Sequence, residues 1–472
     1  MLSIIGNGYN RDCEGVTRRE LLRIGALGMS GLTLPGLLAA KANAAYEGSF
    51  IKDKAIVLLF LQGGPTHIET FDPKMMAPSE YRAMFGEVKT NSPGVTFGKH
   101  FPQLAGLADK LAIVRSFRHG VGSHRTASEL VAAGGNPTQA TMGTIYSRLA
   151  GGSNRVTGIP NNVVLTPPAA GEKYKGLGTQ TERVTGIGSL PATYKAFDPS
   201  SGGELIENMK LRLAEDRLDD RRELLTQLDG IRREADATGV VSGADRFQQQ
   251  AFDVIVGGIS KAFDLSNEDP RLVERYDTGA FEIPAWLKKK KKKKKSNVPA
   301  QSPIGLGKQL ILARWLVEAG CGFVTVTSAG WDMHGNAFGV NDGMPLLGPS
   351  VDKAVSAFIG DLEARGLSDK VLLVITGEFG RTPRINKKGR RDHWGNLCTL
   401  AFSGGGLPMG QVIGDSDRTA SRPSTEPITV QNLLGTIMHS VFDVGQLRLE
   451  TSVPSEIART LTGSQPISQL VG

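Results

Sequence analysis

The sequence feature that most constrains the fold is the apolar run AIVLLFL, which spans Ala55 to Leu61 and is closed soon afterwards by Gly63, Gly64 and Pro65. An uninterrupted succession of Val, Ile and Leu is typical of a strand that is buried on both faces, as in the centre of a parallel sheet. Such a sheet needs helices on both of its faces. The run therefore predicts an α/β protein.

Strand-like and helix-like segments alternate along most of the remaining chain. The strand-like segments are LAIVRSF (111–117), NVVLTP (162–167), GFVTVTS (322–328), KVLLVITG (370–377) and CTLAFSG (398–404). The helix-like segments are LAGLADK (104–110), TMGTIYSRLAG (141–151), GLGKQLILARWLVEAG (305–320), SVDKAVSAFIGDLEARG (350–366) and TVQNLLGTIMHSVF (429–442). This order predicts a mainly parallel central sheet that is covered by helices on both faces.

Two segments interrupt this alternation. Residues 203–265 carry leucines at helical spacing and predict an inserted helical hairpin, with a coiled-coil partner helix as the alternative. The eight consecutive lysines Lys288 to Lys295 equal the whole formal charge of +8, so the rest of the chain is close to neutral. Because like charges repel, residues 286–302 are predicted to form a disordered loop. No aromatic interleaving or binding motif accompanies the lysines, so we expect no nucleic-acid partner.

The N-terminus has the three parts of an export signal in order. Paired arginines lie in Thr17 to Arg23, a modestly apolar run covers Ile24 to Ala40, and small residues suited to a signal peptidase lie at Ala42 to Ala44. The pattern resembles a twin-arginine signal over residues 1–44, with an ordinary signal peptide or an N-terminal anchor as alternatives. Residues 45–472 would then form a single α/β domain. It would be periplasmic or extracellular, without a stable membrane span, after contact with the twin-arginine export machinery.

Cysteine usage argues against a disulfide framework in the mature protein. Cys13 lies in the predicted signal, and Cys321 and Cys398 lie in or beside apolar strand-like runs. We expect these two residues to be reduced, buried thiols.

Polar residues follow the predicted strands where each strand ends, and ligands of parallel α/β sheets bind beyond those ends. Asp332 and His334 follow one strand, and their spacing lets both side chains face one cation in an extended loop, with an Asp–His hydrogen bond that shapes the loop as the alternative. Glu378 follows the next strand and is predicted to be a metal ligand or a base near Asp332, if these strands are neighbours. Arg381 is predicted to bind an oxyanion, with an ion pair to Glu378 as the alternative.

Two further segments offer reactive groups. The sequence RRDHWG returns towards the sheet, which makes His393 a candidate third metal ligand, with Asp392 orienting it or binding the metal directly. Ser123, in GSHRTAS, is either a nucleophile or a helix N-cap. The basic stretch NKKGRR (386–391) is either a solvated turn or a source of positive potential for an anionic substrate.

Taken together, the motifs resemble the bacterial domain-of-unknown-function 1501 family. They are, in order, the export signal, LQGGPTHIETFDPK, GWDMHGN, GEFGRTP and RDHWG. That family is similar in fold to the alkaline phosphatase and sulfatase superfamily, whose members bind two metals. The resemblance implies an alkaline-phosphatase-like α/β fold and one metal site at Asp332, His334 and His393. The divalent ion could be Zn, Ca or Mg.

The resemblance is weaker for a second metal site. Gln62 and Gly63 end the first strand where that superfamily has an Asp, and Glu378 and Phe379 stand where it has an Asp and a His. The sulfatase nucleophile signature is also missing, and Ser123 lies in its nearest counterpart.

The expected function is an exported, metal-dependent hydrolase that acts on a phosphate or sulfate ester of a small molecule or a glycan. The metal would be held by Asp332, His334, His393 and Asp392. The catalytic groups would be Glu378, Arg381 and Ser123. The alternative is a non-catalytic cell-envelope or glycan-binding protein on a degenerate hydrolase fold.

Overall fold

The structure is a computed structural model that describes residues 50–154, 156–174, 180–201, 268–284, 303–335 and 338–471. Three predicted segments lie outside the described residues, namely the export signal, the helical insertion and the lysine loop. Every element below belongs to one compact unit, which begins at Lys54.

The strands and helices are numbered in chain order. The strands are β1 (Ala55–Gln62), β2 (Glu87–Lys89), β3 (Thr96–Gly98), β4 (Ala112–Val114), β5 (Asn162–Leu165), β6 (Phe323–Ala329), β7 (His334–Gly335), β8 (Phe338–Gly339), β9 (Val371–Thr376), β10 (Gly380–Arg381), β11 (His393–Trp394), β12 (Leu400–Gly404) and β13 (Gln411–Ile413). The α-helices are α1 (His67–Thr70), α2 (Pro102–Ala105), α3 (His124–Ala133), α4 (Met142–Ala150), α5 (Pro270–Tyr276), α6 (Leu306–Glu318), α7 (Val340–Ala364), α8 (Val430–Val441), α9 (Val444–Leu447) and α10 (Ser455–Gly463).

Seven strands form the central sheet in the order β13-β4-β12-β9-β1-β6-β5. β1 lies between β6 and β9 and is parallel to both. β5 is parallel to β6, and β13 is parallel to β4. The prediction of an α/β protein with a mainly parallel sheet is confirmed.

Both faces of the sheet are covered, as the apolar run of β1 predicts. All eight residues of β1 are buried. Val57, Leu59 and Leu61 belong to one core cluster with residues of α6 and α7. The alternate residues of β1 point to the other face, where α8 packs against β1 and α4 packs against β5 and β6. Burial on both faces explains why this strand carries no polar alternation.

Two elements differ from the sequence prediction. β12 is antiparallel to both of its neighbours, so the sheet is mixed. Helix α7 begins at Val340, ten residues before the predicted start, and it contains Pro345 and Pro349. Proline disfavours the interior of a helix because it lacks the amide hydrogen, so these two residues give no local signal that the helix begins before Ser350.

Cys321 and Cys398 are buried and free, which confirms the prediction of two reduced thiols. Burial raises the pKa of each thiol to about 12, so neither is a ready thiolate. Among the described residues, no helix has the length and apolar content needed to cross a membrane.

Asp352 predicts a pH dependence of stability. This buried residue of α7 accepts hydrogen bonds from the backbone amides of Gln103 and Leu104 at 3.1 and 2.8 Å, and burial outweighs these bonds and raises its pKa to about 6. The folded state therefore favours the protonated carboxyl. The contribution of this group to the free energy of unfolding is fully present below pH ~4 and is lost as the pH rises through about 6. Relative to Asp352→Asn, the wild-type free energy of unfolding should fall by ~2–3 kcal/mol between pH 4 and 7. Denaturant titrations at both pH values measure this, and a constant difference would contradict it.

Candidate metal centre

The carboxyl ends of β1, β6 and β9 meet at one edge of the sheet. In register, Gln62 of β1 pairs with Ala329, and Phe60 pairs with Thr376. The loops that follow β1 and β6 are joined because the backbone amide of Trp331 donates to the carbonyl of Gln62 at 3.1 Å. A Cβ atom on Gly63, at φ +116°, would lie 2.2 Å from the backbone nitrogen of Asp332, so this close approach requires glycine.

β4 and β12 bring two more segments to the same edge. β12 is antiparallel to β4 and β9, so β12 starts where those two strands end. The chain leaving β4 reaches α3, whose first residue is His124. The chain entering β12 passes through β11, where His393 pairs with Arg381 of β10.

Four side chains from these segments converge on one point. His124, Asp332, His334 and His393 each offer one ligand atom, and these atoms all lie within 4.8 Å of one another. Asp332 Oδ1 is 3.1 Å from His334 Nε2 and 3.3 Å from His393 Nε2, and its Oδ2 is 3.4 Å from His124 Nε2. The Nε2 atoms of His334 and His393 are 3.1 Å apart.

The electrostatics of the cluster favour a bound cation. Burial raises the pKa of the Asp332 carboxyl, but hydrogen bonds with the three histidines and the charge of Arg381 outweigh burial and hold that pKa well below its usual range. Burial lowers the pKa of His124, but its hydrogen bonds to Asp332 and Glu378 outweigh burial and raise the pKa to about 9. The cluster thus attracts a proton, and a metal ion could take the place of that proton.

The donor set fits a metal ion. Zinc bonds of about 2.0–2.1 Å in a tetrahedron place neighbouring donor atoms about 3.3 Å apart. Four of the contacts between donor groups, which involve both oxygens of Asp332, measure 3.1 to 3.4 Å, and one donor atom from each residue lies within 4.8 Å of the other three. The four side chains are between 24% and 43% exposed, so solvent and a ligand can reach them.

The structure places Asp332, His334 and His393 together, and it adds His124, which the sequence analysis did not assign to the metal. His124 lies in the GSHRTAS segment after a strand end, so the strand-end rule had already drawn attention to its position. A lone histidine at the start of a helix-like run carries no spacing signal of its own, and for this reason it was missed.

Arg381 is not available for an oxyanion. Its guanidinium is 0% exposed and donates to the carboxylate of Asp332 at 2.8 Å, in place of the alternative pair with Glu378. It also donates to the carbonyls of Gly64 at 2.9 Å, Trp331 at 3.1 Å and Gly63. Arg381 therefore connects the loops after β1 and β6 and holds Asp332 in place, which corrects the predicted oxyanion role.

Glu378 does not enter the cluster directly. β9 and β6 are separated by β1, so Glu378 and Asp332 do not lie on neighbouring strands, contrary to the condition stated for them. The Glu378 side chain is 1% exposed, and its Oε1 accepts from His124 Nδ1 at 2.8 Å and from the Gly63 amide at 2.8 Å. It therefore lies behind His124, away from the ligand atoms.

Asp392 does not contact His393, which it was predicted to orient, and it is not among the candidate ligands of the cluster. Its Oδ1 lies 3.8 Å from His334 Nδ1, whereas His393 Nδ1 is 2.9 Å from the carbonyl of Gly122. The Asp392 carboxylate also accepts from Asn386 Nδ2 at 3.2 Å. The prediction that Asp392 orients His393 is wrong, and the residue is an exposed neighbour of His334.

Arg391 of the basic stretch does not face solvent. Its guanidinium is buried, pairs with Glu69 at 3.3 Å and donates to the carbonyls of Tyr81 and Arg82 at 3.1 and 2.8 Å. It therefore adds no exposed positive charge near the candidate centre. Lys387 and Lys388 are exposed at the turn between β10 and β11.

Ser123 occupies the N-cap position of α3, but its side chain makes no capping hydrogen bond. Its hydroxyl accepts from Thr126 Oγ1 at 3.4 Å and is exposed. Ser123 lies between Gly122, which contacts His393, and His124. It is therefore an accessible hydroxyl directly beside the cluster in the chain.

Different groups occupy the positions where the resemblance would place a second metal. The Gln62 side chain is tied to the backbone of Gln180, with distances of 3.1 and 3.0 Å. The buried ring of Phe379 packs against the imidazoles of His124 and His393, with centroid distances of 4.9 and 4.6 Å. Within the part of the chain that the structure describes, one group of candidate metal ligands is found, and neither Gln62 nor Phe379 belongs to it.

The fold and site define an α/β protein with a candidate three-histidine, one-aspartate metal centre at the carboxyl edge of its sheet. The chain belongs to the family described as protein of unknown function (DUF1501), whose pattern matches residues 53–447. The family resemblance is therefore confirmed. No curated protein matches the sequence.

Solved structures resemble the chain at low sequence identity. The PsFucS1 sulfatase from Pseudoalteromonas sp. is 13% identical, with 80% of this chain and 67% of that chain covered and a TM-score of 0.33. The lipoteichoic acid synthase LtaP from Listeria monocytogenes is 10% identical, with coverage of 83% and 73% and a TM-score of 0.31. The phosphonate monoester hydrolase SpPMH from Silicibacter pomeroyi is 12% identical, with coverage of 82% and 73% and a TM-score of 0.34. Because these TM-scores are below 0.5, the chemistry of the site is inferred from its own side chains.

Proposed function

We propose that this protein is an exported, metal-dependent hydrolase of phosphate or sulfate esters. The observation that supports this best is the convergence of three imidazole nitrogens and one carboxylate at a solvent-accessible point on the carboxyl edge of the sheet. His124, Asp332, His334 and His393 would hold the ion. A bound divalent ion supplies Lewis-acid polarisation of an ester oxygen and a lowered pKa of water.

The donor set narrows the choice of metal. Magnesium and calcium prefer sites built from oxygen ligands, whereas imidazole suits zinc, iron, copper and nickel. Three histidines with one aspartate therefore favour a transition metal. The paired arginines near the N-terminus support export by the twin-arginine route. Folded proteins that travel by this route often carry a metal, so export and metal binding are compatible parts of the proposal.

The protein groups around the ion would have separate tasks. Arg381 fixes the Asp332 carboxylate through the 2.8 Å ion pair. Phe379 forms an apolar wall against two of the imidazoles and keeps water from that side. Ser123 is the exposed hydroxyl next to His124 and is the proposed nucleophile.

The test of this function is turnover by the metal-loaded protein. The mature chain should bind one transition-metal ion and hydrolyse an aryl phosphate or an aryl sulfate, and chelation should abolish turnover. His393→Ala should lose both properties together. Turnover that is unchanged after complete removal of the metal would contradict the proposal.

Ser123→Ala separates a serine nucleophile from attack by water. If Ser123 attacks the ester, the variant should retain metal binding and lose turnover by about 100-fold or more. Ser79→Ala, which removes an exposed hydroxyl that donates to Glu80, is the matched control and should keep full turnover. Full turnover of Ser123→Ala would exclude the serine.

A second candidate function follows from the ligand count. Four protein ligands complete a tetrahedral site, and closed sites of this type are usually structural. The protein would then be a non-catalytic cell-envelope or glycan-binding protein. Metal binding without turnover of any phosphate or sulfate ester, together with binding of a sulfated glycan, would favour this candidate.

A further inference from the structure

Each imidazole of the cluster has its Nδ1 atom directed towards a different protein acceptor. His124 Nδ1 is 2.8 Å from Glu378 Oε1, and His393 Nδ1 is 2.9 Å from the carbonyl of Gly122. His334 Nδ1 is 3.8 Å from the nearest carboxylate oxygen of Asp392, which is beyond hydrogen-bond distance. The Nε2 atoms therefore face the cluster, and Glu378 makes the shortest of these three contacts.

Glu378 lies in surroundings that are costly for a carboxylate. The side chain is 1% exposed at the end of β9. Its Oε1 accepts from the Gly63 amide and from His124, whereas its Oε2 has no hydrogen-bond partner among the described residues. A buried carboxylate with one oxygen unpaired needs a nearby positive group. A metal ion held through His124 would supply this charge, because His124 Nδ1 contacts the carboxylate at 2.8 Å.

We propose that Glu378 is a positioning residue for the metal centre, which acts through His124 and is neither a ligand nor a base. By accepting from Nδ1–H it would fix the tautomer of His124 that leaves the lone pair of Nε2 free to bind an ion held by the cluster. This inference rests on the metal centre of the proposed function. The hydrogen bond of Glu378 to the Gly63 amide also ties the position of His124 to the end of the central strand β1.

A carboxylate behind a metal-binding histidine strengthens the imidazole as a donor and removes its freedom to rotate. Loss of such a partner typically weakens metal affinity by about 10–100-fold. Glu378→Gln keeps the size and an acceptor oxygen and removes the charge. The dissociation constant for Co²⁺ or Zn²⁺, measured by competition with a chelator, should therefore rise by about 10–100-fold.

Asp392→Asn is the matched control, because it makes the same chemical change at the exposed carboxylate near His334. Its contact is 3.8 Å long, so its dissociation constant should rise by no more than about threefold. An equal loss in both variants would mean that general negative charge, and not the hydrogen bond to His124, sets the affinity.

A double-mutant cycle shows whether Glu378 acts through His124. In a His124→Ala background, Glu378→Gln should change metal affinity little, since the ring that it positions is gone. Full additivity of the two losses would overturn the positioning role. Glu378→Asp, which keeps the charge and withdraws the oxygens, should give an intermediate loss and replaces Glu378→Gln if that variant does not fold.

The outcomes separate the two proposals. If the wild-type chain binds a metal ion and Glu378→Gln binds it equally well, the positioning role alone is overturned. If the wild-type chain binds no ion, the metal centre and the role of Glu378 are both overturned. Thermal unfolding of the metal-free variants shows whether a loss of affinity reflects a general loss of stability.

Discussion

Replacing Asp332 by asparagine is expected to abolish metal binding under conditions in which the wild-type chain binds one ion. Asp332 is the carboxylate that all three histidines of the cluster approach, at 3.1 to 3.4 Å. Asparagine keeps the shape and removes the negative charge that offsets the cation. Because loss of an outer-sphere partner already weakens affinity by about 10–100-fold, loss of a direct anionic ligand should exceed about 100-fold. Isothermal titration calorimetry and elemental analysis measure the affinity and the stoichiometry.

The control for this variant is Glu363→Gln. Glu363 is a half-exposed carboxylate near the end of α7 that pairs with Lys110, outside the candidate centre. It should leave metal affinity unchanged, because a distant exposed charge is screened by solvent and salt. If Asp332→Asn binds metal as tightly as this control, Asp332 is not a ligand. The convergence of the three histidines on its carboxylate would then not be explained by a shared metal ion.

Replacing Arg381 by methionine is expected to destabilise the fold by ~3–5 kcal/mol, because buried backbone carbonyls lose a charged donor at a cost of about 1–3 kcal/mol each. The guanidinium is fully buried and satisfies the carbonyls of Gly63, Gly64 and Trp331, as well as Asp332. Methionine is similar in length but donates no hydrogen bond, so the carbonyls of Gly63 and Gly64 would lose this donor inside the protein, whereas the carbonyl of Trp331 would keep its bond from the amide of Met333. Urea denaturation monitored by circular dichroism measures the change.

Arg384→Met provides the comparison within the same hairpin, because Arg384 is exposed. A surface substitution of this kind should change stability by less than ~0.5 kcal/mol. Similar losses in the two variants would show that Arg381 contributes no more than an ordinary surface charge. Because Arg381 holds the Asp332 carboxylate in place, folded Arg381→Met should also bind the metal more weakly.

The sequence predicted the sheet well because its signals are local. The apolar run of β1 and the alternation after Gly305 depend on neighbouring residues, and both correspond to observed elements. The antiparallel direction of β12 depends on how the chain returns to the sheet, and no local pattern records that path. The early start of α7 was missed because two prolines within the helix conflict with local propensity.

The candidate site was predictable only in part for a similar reason. Asp332 and His334 share one motif, and the strand-end rule brings His393 into consideration. His124 joins them through the position of β4 in the sheet, which the sequence does not reveal. The tasks of Arg381 and Glu378 were misjudged because a charged residue at a strand end looks the same in sequence whether it faces a substrate or supports another side chain.

The candidate ligands come from three separate stretches of the chain, and His334 and His393 alone are 59 residues apart. No peptide that contains one of these stretches could assemble the set, so the ion would bind the native chain and not the unfolded one. Binding of this kind adds stability by mass action, about 2.7 kcal/mol at a free-ion concentration 100-fold above the dissociation constant. If the chain is exported after folding, as proposed, the ion would be selected inside the cell, by the metal supply of the compartment in which the sheet first closes.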